Sequence, residues 1–220
     1  MKVSVVIIAH NEAEFLTDAI LSVEAQTYTD WELVCVSDGS TDDTGKIMKD
    51  SGHLFLSRQK GGPALARNTG FEQAKGEFFV PLDGDDMLDR TYLQKTVEKM
   101  SIYDVAYTDI RAFGMFDAEW RMGPMDLAVL SSENVMPCCA MFKREVWEAH
   151  PYDSETEMFC DWDFWLAAVK NGYRGVRIPE ALWYYRRHPN AWTIKDQAED
   201  NPRLIEILRR KHADPTDTGE

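Results

Sequence analysis

The sequence predicts an α/β fold in which a mostly parallel central sheet, flanked by helices, occupies residues 1 to about 100 and a smaller, less regular region follows. Two observations predict it. Apolar, β-branched runs alternate with helical repeats from the start of the chain, as parallel strands joined by crossover helices require. Polar and acidic residues gather just after those runs, where the carboxyl ends of such strands leave a ligand crevice.

Val3–Ala9 is apolar except for Ser4, the pattern of a strand covered on both faces. The next helix carries Phe15, Leu16, Ala19, Ile20 and Val23 on one face, and Asn11 with Glu14 three residues on makes a capping box at its start. Residues 32–37 read as the second strand and Asp38-Gly39-Ser40 as a turn. Thr41, Asp42 and Asp43 then open a second helix by capping. A short strand at 53–57, the breaker Gly61-Gly62-Pro63, a helix at 64–74 and a strand at 77–82 ending on Asp83 complete the first half. Beyond it, 104–112 reads as a strand, 113–130 as a loop over the site, 161–171 as a helix stopped by Gly172, and 173–178 as a strand. Pro202–His212 reads as an amphipathic helix and 213–220 as a disordered tail.

Charge narrows the partners. With 24 Lys and Arg against 38 Asp and Glu in 220 residues, the net charge is −14, which argues against a nucleic-acid partner, whose phosphates demand a positive face. A hydrophobic share of 44% is enough for a real core. The four cysteines lack the spacing of a zinc site and read as reduced thiols of a cytoplasmic protein. The first apolar run ends at His10-Asn11-Glu12 with no cleavage site, so it reads as a strand and not as a signal peptide. No run approaches the ~18 apolar residues of a transmembrane segment. Any membrane contact is peripheral, with Arg209-Arg210-Lys211-His212 as the basic end that would make it.

The chemistry-bearing residues lie at the strand ends. Asp83-Gly84-Asp85-Asp86 sets three carboxylates around a glycine, which suits a hard divalent cation; an acidic turn capping the next helix accounts for the same residues. No Walker A or GxGxxG loop follows the first strand, so phosphate charge falls to a metal, to Arg67, or to Arg186-Arg187-His188, each of which also reads as a surface or structural group. Asp38 either accepts from a nucleobase or ribose or bonds its own turn through Gly39 and Ser40. Asp161 is a candidate general base or a helix cap. The tryptophans and tyrosines of the second half suit sugar faces, a homodimer or simple packing.

Taken together, these segments resemble family 2 glycosyltransferases of the GT-A fold. The resemblance rests on Ser4-Val5-Val6-Ile7-Ile8-Ala9-His10-Asn11-Glu12, Val36-Ser37-Asp38-Gly39-Ser40-Thr41-Asp42, Ala66-Arg67-Asn68-Thr69-Gly70 with Ala74-Lys75-Gly76-Glu77, and Leu82-Asp83-Gly84-Asp85-Asp86, in the family's order and spacing. Asp161-Trp162-Asp163-Phe164-Trp165-Leu166 and Tyr185-Arg186-Arg187-His188 resemble its later motifs. Residues 101–137 and 193–220 match nothing assignable. The resemblance implies a nucleotide-sugar-binding half at 1–100, an acceptor-binding half of the same domain at 101–200, and a C-terminal helix and tail at 201–220.

By the same resemblance, a nucleotide, most often UDP, lies against His10, Glu12, Asp38, Arg67 and Asp83. Mn²⁺ or Mg²⁺ lies on Asp85 and Asp86 with His188, the leaving phosphates meet Arg186 and His188, and Asp161 is the catalytic base of an inverting transfer from a UDP-sugar donor to a hydroxyl acceptor, glycan or lipid-linked. An ordinary Asp is ionised at pH 7 without special tuning. One departure stands out: the family's usual Glu before the base is Cys160 here, with Glu157 the nearest substitute. That departure motivates the alternative of a non-catalytic sugar-nucleotide-binding or partner-subunit module. A receiver domain would need a placed lysine and lacks Ala66-Arg67-Asn68-Thr69-Gly70. A nucleotidyltransferase would want a glycine-rich basic loop where His10-Asn11-Glu12 stands.

Overall fold

The computed structural model describes residues 1–189 and 202–213; the tail expected at 213–220 therefore lies, beyond its first residue, outside the described residues. Among the described residues nine strands form one sheet: β1 (Val3–Ala9), β2 (Trp31–Asp38), β3 (Leu54–Arg58), β4 (Phe78–Asp83), β5 (Met87–Leu88), β6 (Val105–Gly114), β7 (Ala118–Trp120), β8 (Met141–Lys143) and β9 (Gly175–Arg187). Between them run α1 (Leu16–Glu24), α2 (Thr44–Asp50), α3 (Pro63–Gln73), α4 (Tyr92–Val97), α5 (Leu127–Leu130), α6 (Arg144–Ala149) and α7 (Cys160–Lys170), and α8 (Pro202–His212) follows β9.

The strand order is β3-β2-β1-β4-β8-β6-β9-β5, with β7 on β6. Strands β1 to β4 pair in parallel, as expected from the alternation. The second half is mixed: β8 runs antiparallel to both β4 and β6, β9 lies parallel to β6, and β5 runs antiparallel to β9. The sheet is thus continuous through both halves of the chain.

β1 is buried along its whole length because it feeds two cores. Val3, Val5 and Ile7 face α1 and α2 through Leu16, Ile20, Val23 and Met48, while Val6 and Ile8 face α3 and α7 through Ala66, Phe71 and Phe164. Alternating side chains explain why a strand with two buried faces shows no polar alternation. Each fully buried Val or Ile contributes roughly 1.5–3 kcal/mol relative to exposure. The α3 side is closely packed: a Cβ on Gly70 would overlap Val6 Cγ1 and approach Val36 Cγ2 to 3.2 Å. Gly70→Ala is expected to cost about 1–3 kcal/mol by overpacking, read as a lower urea midpoint at unchanged slope.

Several local expectations change. Asn11 does not cap α1. It sits at φ 58°, its side chain accepts from Thr41 N at 2.8 Å, and the helix begins only at Leu16. Phe15 leaves the apolar face to pack against His188 at 4.6 Å. At α2 the bond to the helix comes from Asp42, which accepts from Thr44 N at 3.0 Å. The stretch expected as a loop at 113–130 instead extends β6 to Gly114, returns as β7 and forms α5. The strand expected at 173–178 runs on to Arg187, with register shifts near Asp109 where it pairs with β6.

Candidate functional site

The parallel register brings the ends of three strands to one level: Ala9 lies opposite Ser37, and Ile8 opposite Asp83. Above them opens a cleft of about 970 Å³ lined by His10, Glu12, Asp38, Lys60, Arg67, Asp83, Asp85 and Asp161, among others. Sites of this size suit ligands with a few placed polar groups.

Asp38 is buried and fully engaged. It pairs with Arg58 and accepts from the backbone N–H of Gly61 and, at 2.7 Å, of Gly62. The own-turn reading does not describe this: the carboxylate bonds the loop after β3, and it does so at the wall of the cleft. His10 Nδ1 lies 2.8 Å from the Asp38 carbonyl, which can only accept, so Nδ1 carries the proton and Nε2 accepts from Lys60 Nζ at 3.0 Å. Lys60 escaped the sequence reading, although its place between β3 and Gly61-Gly62-Pro63 is a strand-end position of the kind that builds such clefts.

Arg67 is only 4% exposed, not a surface group. Its guanidinium donates to Asp83 Oδ1 at 2.9 Å and Cys160 Sγ at 3.4 Å and lies 5.5 Å from the Tyr152 ring centroid, while its buried Nε has no partner among the described residues. Asp83 is bracketed between Arg67 and the Cys138 thiol.

Gly84 lets the acidic turn lie against β1, since a Cβ there would come 2.7 Å from Ala9 Cβ, and Gly84 N donates to Ile8 O at 2.9 Å. The two carboxylates that follow then part. Asp85 faces His188 Nε2 at 3.0 Å, and atoms of Glu12, Asp85 and His188 all lie within 4.8 Å of one another. Asp86, expected on the metal beside Asp85, is fully buried and accepts from Trp183 Nε1 at 3.0 Å and Arg186 N at 2.8 Å. It anchors β9, and the third group beside Asp85 and His188 is Glu12. Burial, with Asp85 and Asp83 nearby, pushes Asp86 well above the usual carboxylate range; burial and Asp83 push Asp85 up as well, against the pull of His188.

Arg186, expected on the phosphates, is held within the protein. It donates to Asp85 O and to Asp18 and lies between the rings of Phe15 and Phe113. His188 is 7% exposed, and its Nδ1 has no partner among the described residues.

Asp161 sits in the first turn of α7 without capping it, lines the cleft, and accepts from Asn134 Nδ2 at 3.2 Å. Burial raises its pKa, opposed by the charge of Arg67 and the bond from Asn134, so this carboxyl is tuned where an ordinary one was expected. Cys160 is buried, which pushes its thiol up to about 12. Glu157 does not substitute for a carboxylate at that position: it adopts φ 46° and pairs with Arg203 on α8 at 3.3 Å. Asn134 falls in a region without recognisable motif, and nothing in the sequence marks it.

Residues 4–150 match the family described as Glycosyl transferase family 2. The chain is 30% identical over 211 residues to a putative glycosyltransferase, EpsE of Bacillus subtilis, covering 87% of this chain and 75% of that protein. It is 31% identical over 126 residues to the glycosyltransferase GlyA of Streptococcus pneumoniae, of which it spans 18%. Among solved structures, residues 1–349 of S. aureus TarS in complex with UDP-GlcNAc superpose with a TM-score of 0.80 at 20% identity, over 96% of this chain and 65% of that one. A mannosyltransferase from Pyrobaculum calidifontis in complex with GDP-Man and Mn²⁺ superposes at 0.66 and 20% identity, over 96% and 68%. At such identities the likeness is one of fold, and the fold is GT-A. Among the described residues no helix is long and apolar enough to cross a membrane.

Proposed function

The chain belongs to glycosyl transferase family 2, and from that premise we propose that it moves a sugar from a UDP-sugar to a hydroxyl acceptor with inversion, in glycan or polysaccharide biosynthesis. The observation that carries the reading is that Asp161, Glu12, Asp83 and Asp85 line one cleft, with His188 gathered against Glu12 and Asp85. The UDP-GlcNAc complex of TarS supports UDP as the nucleotide. Free cysteines among the described residues suit the reducing cytoplasm proposed as its location.

Glu12, Asp85 and His188 would hold the divalent cation. Two carboxylates and an imidazole fit Mn²⁺ better than Mg²⁺, whose shell is nearly all oxygen, and a cation there would relieve the crowding of buried like charges. When bound, it supplies Lewis acidity toward the donor diphosphate.

The protein's own groups do the rest. Asp161 takes the proton from the acceptor hydroxyl as the acceptor oxygen bonds the anomeric carbon and the bond from that carbon to the β-phosphate oxygen breaks, the electron pair leaving on the diphosphate. Arg67, with its unpartnered Nε, offers positive charge beside Asp83, and Lys60, held by His10, offers its remaining N–H donors at the nucleotide end. Arg186 acts at one remove by fixing the Asp85 carbonyl.

A second reading, a sugar-nucleotide-binding module without turnover, is favoured by Cys160, whose protonated thiol cannot act as the Glu that the family usually carries. Calorimetric titration of UDP, with GDP and dTDP as controls, in Mn²⁺ and then in excess EDTA is expected to give metal-dependent UDP binding. UDP release from a panel of UDP-sugars then separates enzyme from module. Absence of binding for every nucleotide would overturn both readings.

A further inference from the structure

The first turn of α7 is held from behind by α8. Asp161 and Asp163 are two residues apart, about 200° around a helix of 3.6 residues per turn, so their carboxylates leave α7 on opposite sides. Asp161 lines the cleft. Asp163 is buried against α8, where it accepts from Lys211 Nζ and from His212 Nε2, each at 2.8 Å. Lys211 Nζ also donates to Asp153 Oδ2 at 2.6 Å, and Asp153 Oδ1 caps the 3₁₀ turn Ser154–Phe159 that leads into α7. One ammonium thus joins the start of that turn to the start of α7. Arg203 pairs with Glu157 at 3.3 Å and Arg210 with Glu155 at 3.7 Å, while Lys170, at the other end of α7, donates to His212 O. Leu204 and Leu208 pack on Phe159 in an apolar cluster apart from the two that enclose β1, with Met158 and Trp162 against it. The segment so held is strained: Glu157 sits at φ 46° and ψ −114°, a conformation that a residue with a Cβ keeps only where its surroundings fix it. Met158, next to it, lines the cleft, as does Cys160.

We propose that α8 is a clamp on the base-bearing turn, with Lys211 and Asp163 as positioning residues that hold Asp161 where it meets the acceptor hydroxyl. The inference rests on the glycosyltransferase reading above and adds two residues that act through its base. The elements that α8 grips define what the clamp controls. Its ion pairs and apolar packing fall on residues 153–170, whereas Glu12, Asp38, Arg67, Asp83 and Asp85 belong to the strand ends and α3. Releasing α8 therefore loosens the base and leaves the nucleotide's seat in place. A reacting group displaced by about 1 Å already costs about a hundredfold in rate. The basic end at 209–212, which offered itself for membrane contact, here spends Arg210, Lys211 and His212 on acids of the chain itself.

The test uses the full chain in Mn²⁺, with UDP release from a panel of UDP-sugars as the activity and UDP titration as the binding measurement. Two variants release α8 by different routes: Lys211→Met removes the ammonium at nearly constant length, and Leu208→Asp sets a charge in the cluster on Phe159. Each is expected to lower kcat about ten- to a hundredfold with the Kd for UDP unchanged. Each is also expected to speed amide hydrogen exchange over residues 154–164 and not over β1 to β4. Lys211→Arg, which keeps a cation between the two acids, is expected to restore most of kcat. Wild-type kcat in both release variants overturns the clamp, as does unchanged exchange over 154–164. Loss of UDP binding in step with kcat, or faster exchange spread through β1 to β4, also overturns it, because α8 then supports the whole fold and not the base. A loss in Lys211→Met that Lys211→Arg leaves unrepaired removes Lys211 from the role. An inactive wild type strikes the glycosyltransferase reading and the clamp with it, whereas an active wild type with equally active variants strikes the clamp alone.

Discussion

Asp161→Asn is expected to lower turnover by about two to four orders of magnitude while leaving UDP affinity unchanged. The substitution keeps the side chain's shape and its contact with Asn134 and removes only the capacity to take a proton. Steady-state kinetics beside calorimetry separates the two effects, and turnover near wild type removes Asp161 from the role. The pH profile carries a second signature. Burial raises the Asp161 pKa, and the base works only when ionised, so kcat/KM falls as pH drops through that raised value and the acid limb lies above the ordinary carboxylate range. Asn134 donates to the ionised form, so Asn134→Ala moves the limb higher still.

Asp85→Ala is expected to weaken UDP binding in Mn²⁺ by more than about tenfold and to make it indifferent to EDTA. Outer-shell partners of a metal already cost about 10–100-fold when removed, and Asp85 stands in the cluster itself. Equal affinity in Mn²⁺ for wild type and variant would move the cation site elsewhere. The neighbouring Asp86→Ala fails differently: it leaves the Trp183 and Arg186 N–H groups buried without their acceptor, at about 1–3 kcal/mol each, and shows as a loss of stability in denaturant.

The contrast between these two aspartates shows what the sequence could and could not tell. β1 to β4 were legible because a strand buried on both faces leaves an unbroken apolar run, and their shared direction places Asp38 and Asp83 at one end. Which of two adjacent carboxylates faces the cleft depends on Trp183 and on the backbone of Arg186, far along the chain. Glu12 was drawn into the cluster by the bend at Asn11, whose positive φ no local pattern announced. For Arg67 the surface alternative stayed open in the sequence because its burial depends on Cys160 and Tyr152 in the second half. β8, at three residues, is too short for any periodicity, yet it joins β4 to β6.

The length of the bonds across the acidic turn, counted along the chain, also governs how the protein is born. Trp183, Arg186 and His188 meet Asp86 and Asp85 over separations of 97, 100 and 103 residues. At roughly 5–20 residues per second on the ribosome, the turn waits roughly 5–20 s for these partners. Meanwhile β4 has emerged with β1 on one side and, until β8 is made, a bare edge on the other, the kind of edge that pairs with other chains. The nascent chain, more than the finished protein, is therefore the form that carries this open edge; synthesis of β8 covers it, and β9 then completes the sheet and reaches the acidic turn.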